Sequence, residues 1–183
     1  MKQYIIVFIV VFIGYLVGNS IYEEITKDPT PGKAKRIECQ SKVTSFERGF
    51  NEAQIKEAQQ EIKNGMITFT SGIEKTIYSD STLFEYVSLE KTDEVFQKLL
   101  TSFVEKNSLH QNKKYDFSYY IYENDIKDPG KKTKKSKEYA GYVVLEVKNN
   151  NTTIYKVQID FMDFEGKDLQ DSLSCAVQSF MTY

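Results

Sequence analysis

The sequence predicts an α+β fold: a mainly antiparallel sheet with helices packed on one face, preceded by an N-terminal transmembrane or signal helix. Three observations predict it. Residues Tyr4 to Gly18, YIIVFIVVFIGYLVG, carry no charge. Late runs such as TIYKVQIDF (153–161) alternate apolar and polar residues at the strand period of two. Between and after these runs, apolar residues recur three and four apart, the helical spacing.

The opening segment comes first in order. Its fifteen uncharged residues reach about 22 Å as a helix, against ~30 Å for a hydrocarbon core. Continuing through Tyr22 brings the helix close to full span and places Tyr4 and Tyr22 at the two interfaces. Lys2 on one side and Glu23 and Glu24 on the other put the N-terminus in the cytoplasm. The competing reading is a secretory signal peptide cut after Ser20, since Gly18 and Ser20 are small residues at −3 and −1. Both readings export the rest of the chain. Residues 1–22 are thus the anchor or signal, 23–44 a polar linker containing Pro29, Pro31 and Gly32, and 45–183 one extracytoplasmic domain.

Within that domain, Ser45 is an acceptable helix cap, and a helix over 45–63 carries Phe46, Phe50, Ala53, Ala58 and Ile62, closed by Asn64-Gly65. MITFT and IEKTIYS then read as two strands about Ser71-Gly72, and LFEYVSL (83–89) as a third. TDEVFQKLLTSFVEKN reads as a helix capped by Thr92, with Phe96, Leu99, Leu100, Phe103 and Val104 on one stripe. Three strand-like runs follow, at 115–123, 139–148 and 153–161, the last two joined by a turn at Asn149-Asn150-Asn151. A closing helix over 167–181 aligns Leu169, Leu173, Ala176, Val177 and Phe180. The order α-βββ-α-βββ-α has the outline of a duplicated βββα unit, without residue similarity between the halves.

Composition bounds the function. Twelve Phe, thirteen Tyr and 40% apolar residues suffice for a core, and the chain length fits one domain plus an extension. A net charge of −2 gives no field that steers the protein to nucleic acid. The single histidine, His110, lies in the polar stretch NSLHQNKK and has no paired nucleophile; GxSxG, a glycine-rich phosphate loop and HExxH are missing from the sequence. Two cysteines and one histidine are too few for a zinc site of the usual kind, and the reading assigns no metal and no cofactor.

Three clusters stand out. The acidic run holds Asp160, Asp163, Glu165, Asp168 and Asp171. With Gly166 at position 6 of a calcium loop, positions 1 and 12 would be Phe161 and Ser172, so the EF-hand pattern fails. These carboxylates are expected to satisfy and polarise the N-terminus of the last helix instead. Lys131, Lys132, Lys134, Lys135 and Lys137 crowd a connection between two strands, near Tyr119, Tyr120, Tyr122, Tyr139 and Tyr142. They read as a solvated tip, with docking to an acidic protein or to lipid headgroups as the functional alternative. Cys39 and Cys175 suggest one bridge in an oxidising compartment. Helical spacing puts Cys175 away from the apolar stripe, where a linker strand carrying Cys39 would cover it. The functional expectation is a membrane-tethered extracytoplasmic binding or assembly module for a protein partner, without catalysis. The alternative is a small protective, immunity-like protein that caps a toxin or hydrolase in that compartment.

Overall fold

The computed structural model describes residues 37–105, 113–131 and 133–183. The N-terminal apolar segment, most of the linker, His110 and Lys132 lie outside the described residues. Among the described residues, no helix is long and apolar enough to cross a membrane.

The fold is α+β, built on a mostly antiparallel five-stranded sheet. The elements are α1 (Glu38–Lys42), β1 (Ser45–Gly49), α2 (Glu52–Lys63), β2 (Phe69–Glu74), α3 (Leu83–Tyr86), α4 (Leu89–Thr101), β3 (Tyr115–Glu123), β4 (Gly141–Asn149), β5 (Thr152–Phe161) and α5 (Leu169–Met181). The strand order is β1-β5-β4-β3-β2, with β2 parallel to β3 and every other pair antiparallel.

The three long strands form where local pattern and partner agree. In β3, Tyr115, Phe117, Tyr119 and Ile121 are buried while the intervening residues are not. In β5, Tyr155, Val157, Ile159 and Phe161 are buried and Lys156 is exposed. Asn150 and Asn151, at φ 47° and 65°, make the turn between β4 and β5, a left-handed conformation asparagine tolerates. The buried sides face the helices. Phe96 of α4 meets Tyr119 at 4.5 Å and Phe69 at 4.8 Å between ring centroids. Phe180 of α5 meets Phe117 at 5.8 Å and Tyr155 at 5.2 Å. Glu61 of α2 accepts the backbone N–H groups of Lys114 and Tyr115, tying that helix to the start of β3.

Several sequence expectations are corrected. The helix expected over 45–63 is split: Ser45–Gly49 pairs with β5 as an edge strand, and the helix starts after Asn51, whose side chain accepts from Gln54 N at 3.1 Å. Phe46 and Phe50, expected on its apolar stripe, are 63% and 52% exposed. The hairpin at Ser71-Gly72 does not form, because β2 runs straight through both residues, held by parallel pairing to β3. LFEYVSL is a helical turn and the cap of the next helix, not a strand. Glu123 takes the Thr82 and Leu83 N–H groups, both at 2.8 Å, and fixes that turn. Ser88, not Thr92, caps α4; the Thr92 hydroxyl lies inside the helix and donates to Ser88 O. The helix stops at Thr101, so Phe103 and Val104 follow it. Among the described residues, the element order shows no βββα duplication. Within the segment read as linker, Glu38–Lys42 is helical.

Candidate binding face of the sheet

Alternation puts every second residue of the sheet on the face opposite the helices. From the strand registers, one row of that face reads Phe46, Gln158, Val144, Tyr120, Gly72. The next reads Asp160, Tyr142, Tyr122, Glu74. Tyr122 and Tyr142 stack at 4.4 Å and 16°, while Tyr120 and Tyr139 approach Tyr142 at 6.5 and 6.4 Å. Tyr119 departs from this group. It points into the core, and its hydroxyl donates to Asp93 at 2.6 Å. Burial raises the phenol pKa of Tyr120, Tyr139 and Tyr142, with nearby carboxylates adding to the effect at Tyr120 and Tyr139. These hydroxyls therefore stay protonated near neutrality and serve as hydrogen-bond donors.

The lysine-rich connection folds back beside this face. Lys131 is half-buried, with Nζ 5.2 Å from the Tyr122 ring centroid and 5.7 Å from that of Tyr139. Nζ also donates to Asn124 Oδ1 and, at 3.3 Å, to the Tyr122 hydroxyl. Asn124, itself buried, donates to Ser136 O and Tyr139 O at 3.2 and 2.7 Å. Lys134 and Lys137 are exposed. Of the five lysines singled out from sequence, then, Lys131 is packed rather than solvated. A 3₁₀ turn spans Lys135–Lys137.

The end of the sheet where β2, β3 and β5 finish carries exposed apolar side chains from three separate connections. Ile77 (87% exposed) and Tyr78 follow β2, Ile126 follows β3, and Met162 and Phe164 follow β5. Phe46 of β1 lies toward the same end, since β1 runs against β5. A pocket of about 400 Å³ opens between Phe46, Met162, Tyr139 and Asp160. Its volume is in the range of ordinary ligand sites, roughly 300–1,000 Å³.

The acidic run does not act as a unit. Asp160 sits on the sheet face, 5% exposed. Asp168 accepts the N–H groups of Met162 and Asp163, and Asp163 accepts those of Glu165 and Lys167. These carboxylates tie the loop before α5, and Asp168 makes no side-chain cap to the helix itself. Among the described residues, no group of three or more metal-ligating side chains converges. Cys39 and Cys175 stand at disulfide distance, with Cα atoms 5.7 Å apart. α1, not an extended strand, covers Cys175, which is 3% exposed. The cleft over this pair, about 440 Å³, is lined by Glu38, Lys42, Asp171 and Gln178.

Sequence reasoning reached the tyrosines and the lysines but missed Phe46, Gln158 and Met162. Gln158 and Asp160 had a visible signal, since alternation in TIYKVQIDF already set them on the face away from the core. No known protein family matches the chain, and neither a curated protein nor a solved structure is similar to it.

Proposed function

We propose that the chain is an exported, membrane-held binding module that docks a protein partner on the loop end of its sheet and the adjoining tyrosine face. The observation that carries this reading is the convergence of Ile77, Tyr78, Ile126, Met162 and Phe164, from three connections far apart in sequence, at one end of the fold. Scattered exposed apolar residues are ordinary, but their concentration at one place marks an interaction surface. Neutral tyrosine hydroxyls beside them add directional hydrogen bonding at little entropic cost, as in many interface cores. The apolar N-terminal segment supplies the membrane attachment in this reading, and the cysteine pair suits an oxidising compartment.

The test is co-purification of the full chain after mild detergent extraction, with Ile77→Ser, Ile126→Ser and Phe164→Ser combined. The expected result is a multi-protein membrane complex that the triple variant loses while its melting temperature holds. One tight, soluble partner would replace the assembly role with a protective, immunity-like one. Undiminished capture by the triple variant would overturn the docking surface.

A further inference from the structure

The turn that joins β4 to β5 carries a sequence pattern that a turn alone does not require. Asparagine at 150 and 151 suits the left-handed backbone there, at φ 47° and 65°. Each of the two is also followed two residues on by a threonine, Thr152 and Thr153 respectively, with no proline between. Of the nine asparagines in the chain, Asn150 and Asn151 alone have Ser or Thr at that position. Asn-x-Thr is the acceptor pattern for N-linked glycans, in which the hydroxyl two residues on is recognised together with the reacting amide.

The fold puts both acceptors within reach of a transferase. Asn150, Asn151 and Thr152 are exposed at the tip. The two patterns differ in their second half. Thr153, which serves Asn151, donates its hydroxyl to Glu146 Oε1 at 2.7 Å. Thr152, which serves Asn150, is exposed at the first position of β5. The tip lies at the end of β5 opposite Phe161 and Met162, and the ten residues of that strand separate the two ends by about 30 Å. A bulky hydrophilic group at the tip extends into solvent and leaves the loop end open for docking.

We infer that Asn150 is the acceptor of an N-linked glycan, with Thr152 as the hydroxyl recognised beside it. The donor is a lipid-pyrophosphate-linked oligosaccharide on the exported side of the membrane. Asn150 Nδ2 forms a bond to C1 of the first sugar, and the bond from C1 to the phosphate oxygen breaks. The lipid pyrophosphate leaves with that electron pair, and the amide proton passes to a base of the transferase. The inference rests on the exported reading above, and it adds a modification at the end of the sheet that docking does not use.

The experiment isolates the full chain from its native membranes and digests it with trypsin. Cleavage after Lys148 and Lys156 releases 149–156, with both acceptors on one peptide. Mass analysis should find this peptide heavier by a glycan, with sugar fragment ions on collision. Asn150→Gln and Thr152→Ala should each remove the added mass. Thr152→Ser should keep it, and so should Thr153→Ala, which spoils only the pattern of Asn151. None of these side chains belongs to the buried core, so each variant is expected to fold. Survival of the added mass in Thr152→Ala, or its loss in Thr153→Ala, overturns the choice of Asn150. Protease added to sealed vesicles separates the glycan from export. An unmodified peptide from a domain on the exported side overturns the glycan and leaves export standing. An unmodified peptide from a domain on the cytoplasmic side overturns both.

Discussion

Glu123, Asn124 and Asp125 follow one another at the end of β3, all three are buried, and between them they hold two connections, Glu123 and Asp125 the one from β2 to α3 and Asn124 the one from β3 to β4. Glu123 fixes the turn at 82–83, Asn124 clasps the lysine-rich connection, and Asp125 accepts from Ile77 N, Tyr78 N and Ser79 Oγ. Burial alone would raise the Asp125 pKa, but the hydrogen bonds from Tyr78, Ser79, Ile77 and Lys127 prevail and hold it at about 2, below its ordinary 3.8. A depressed carboxylate contributes stability above the unfolded pKa and loses it as pH falls through the folded one. Asp125→Asn should therefore be less stable than the parent at neutral pH, with the gap narrowing as pH drops from 3.8 toward 2. Urea unfolding of both proteins across that range checks this, and a constant gap would contradict it. Asp160 has the opposite sign. Its raised pKa means stability falls as pH rises past 3.8, so Asp160→Asn should gain relative to the parent on going from acid to neutral pH. Among the described residues, Tyr139 and Tyr142, both neutral there, lie near Asp160, and Glu138 lines the same pocket. The lysines divide in the same way. Lys134→Gln and Lys137→Gln touch exposed side chains and should each change stability by less than about 0.5 kcal/mol. Lys131→Gln gives up two ring contacts and the Asn124 bond, and should cost about 1–2 kcal/mol. Nothing in the run KDPGKKTKKSK distinguishes Lys131 from its neighbours, because its partners Asn124 and Tyr139 are supplied by the folded loop.

At the scale of elements, legibility followed how much of each element's stability is local. β3, β4, β5 and α5 carry long, periodic patterns, and the sequence placed them within about two residues. β1 and β2 are the edge strands, short, with few buried side chains, and each exists through pairing with one neighbour. No local period announces such a strand, so 45–49 reads as the start of a helix and Ser71-Gly72 as a turn. The turn Leu83–Tyr86 is likewise set by Glu123, forty residues away. α1 is the extreme case: five residues held against α5 by the Cys39–Cys175 pair, by Gln40 donating to Ser179 Oγ at 2.7 Å, and by Gln40 donating to Glu47 at 3.0 Å. Five residues do not make a stable helix alone. A bridge across 136 residues of chain restricts the unfolded state, typically by about 2–4 kcal/mol. Cys39→Ser and Cys175→Ser should each lower the melting temperature by roughly 5–15 °C, and the double variant by little more, since both remove one bond. Additive losses in the double variant would mean that the two sulfurs act separately.

The described domain pairs a helix-covered face with an open one, and the open face is where the pocket, the tyrosines and the loop-end apolar residues meet. That arrangement uses the sheet as a platform, and it places the demand for a compartment on the cysteines. A pair at disulfide distance stays joined only where thiols are not kept reduced, and the proposed export of the domain would supply such a compartment. Tether and label then differ by a few residues. Tyr4 to Gly18 alone is short of ~30 Å, yet extension to Tyr22 gives a span with aromatic residues at both ends and opposite charges outside them. A signal peptide would need only the first part and a cut after Ser20. The tether is favoured by the thin n-region, with Lys2 as its one charged side chain, and by β-branched residues that continue almost to the cut position. The mature protein is therefore expected to keep Met1 or Lys2 as its first residue, to stay with membranes through a carbonate wash, and to show no free thiol by non-reducing mass analysis. N-terminal sequencing that begins at Ile21 would make the segment a label. Thiols that alkylate readily in the native protein would remove the case for export, because Cys39 and Cys175 would then have met no oxidant at all.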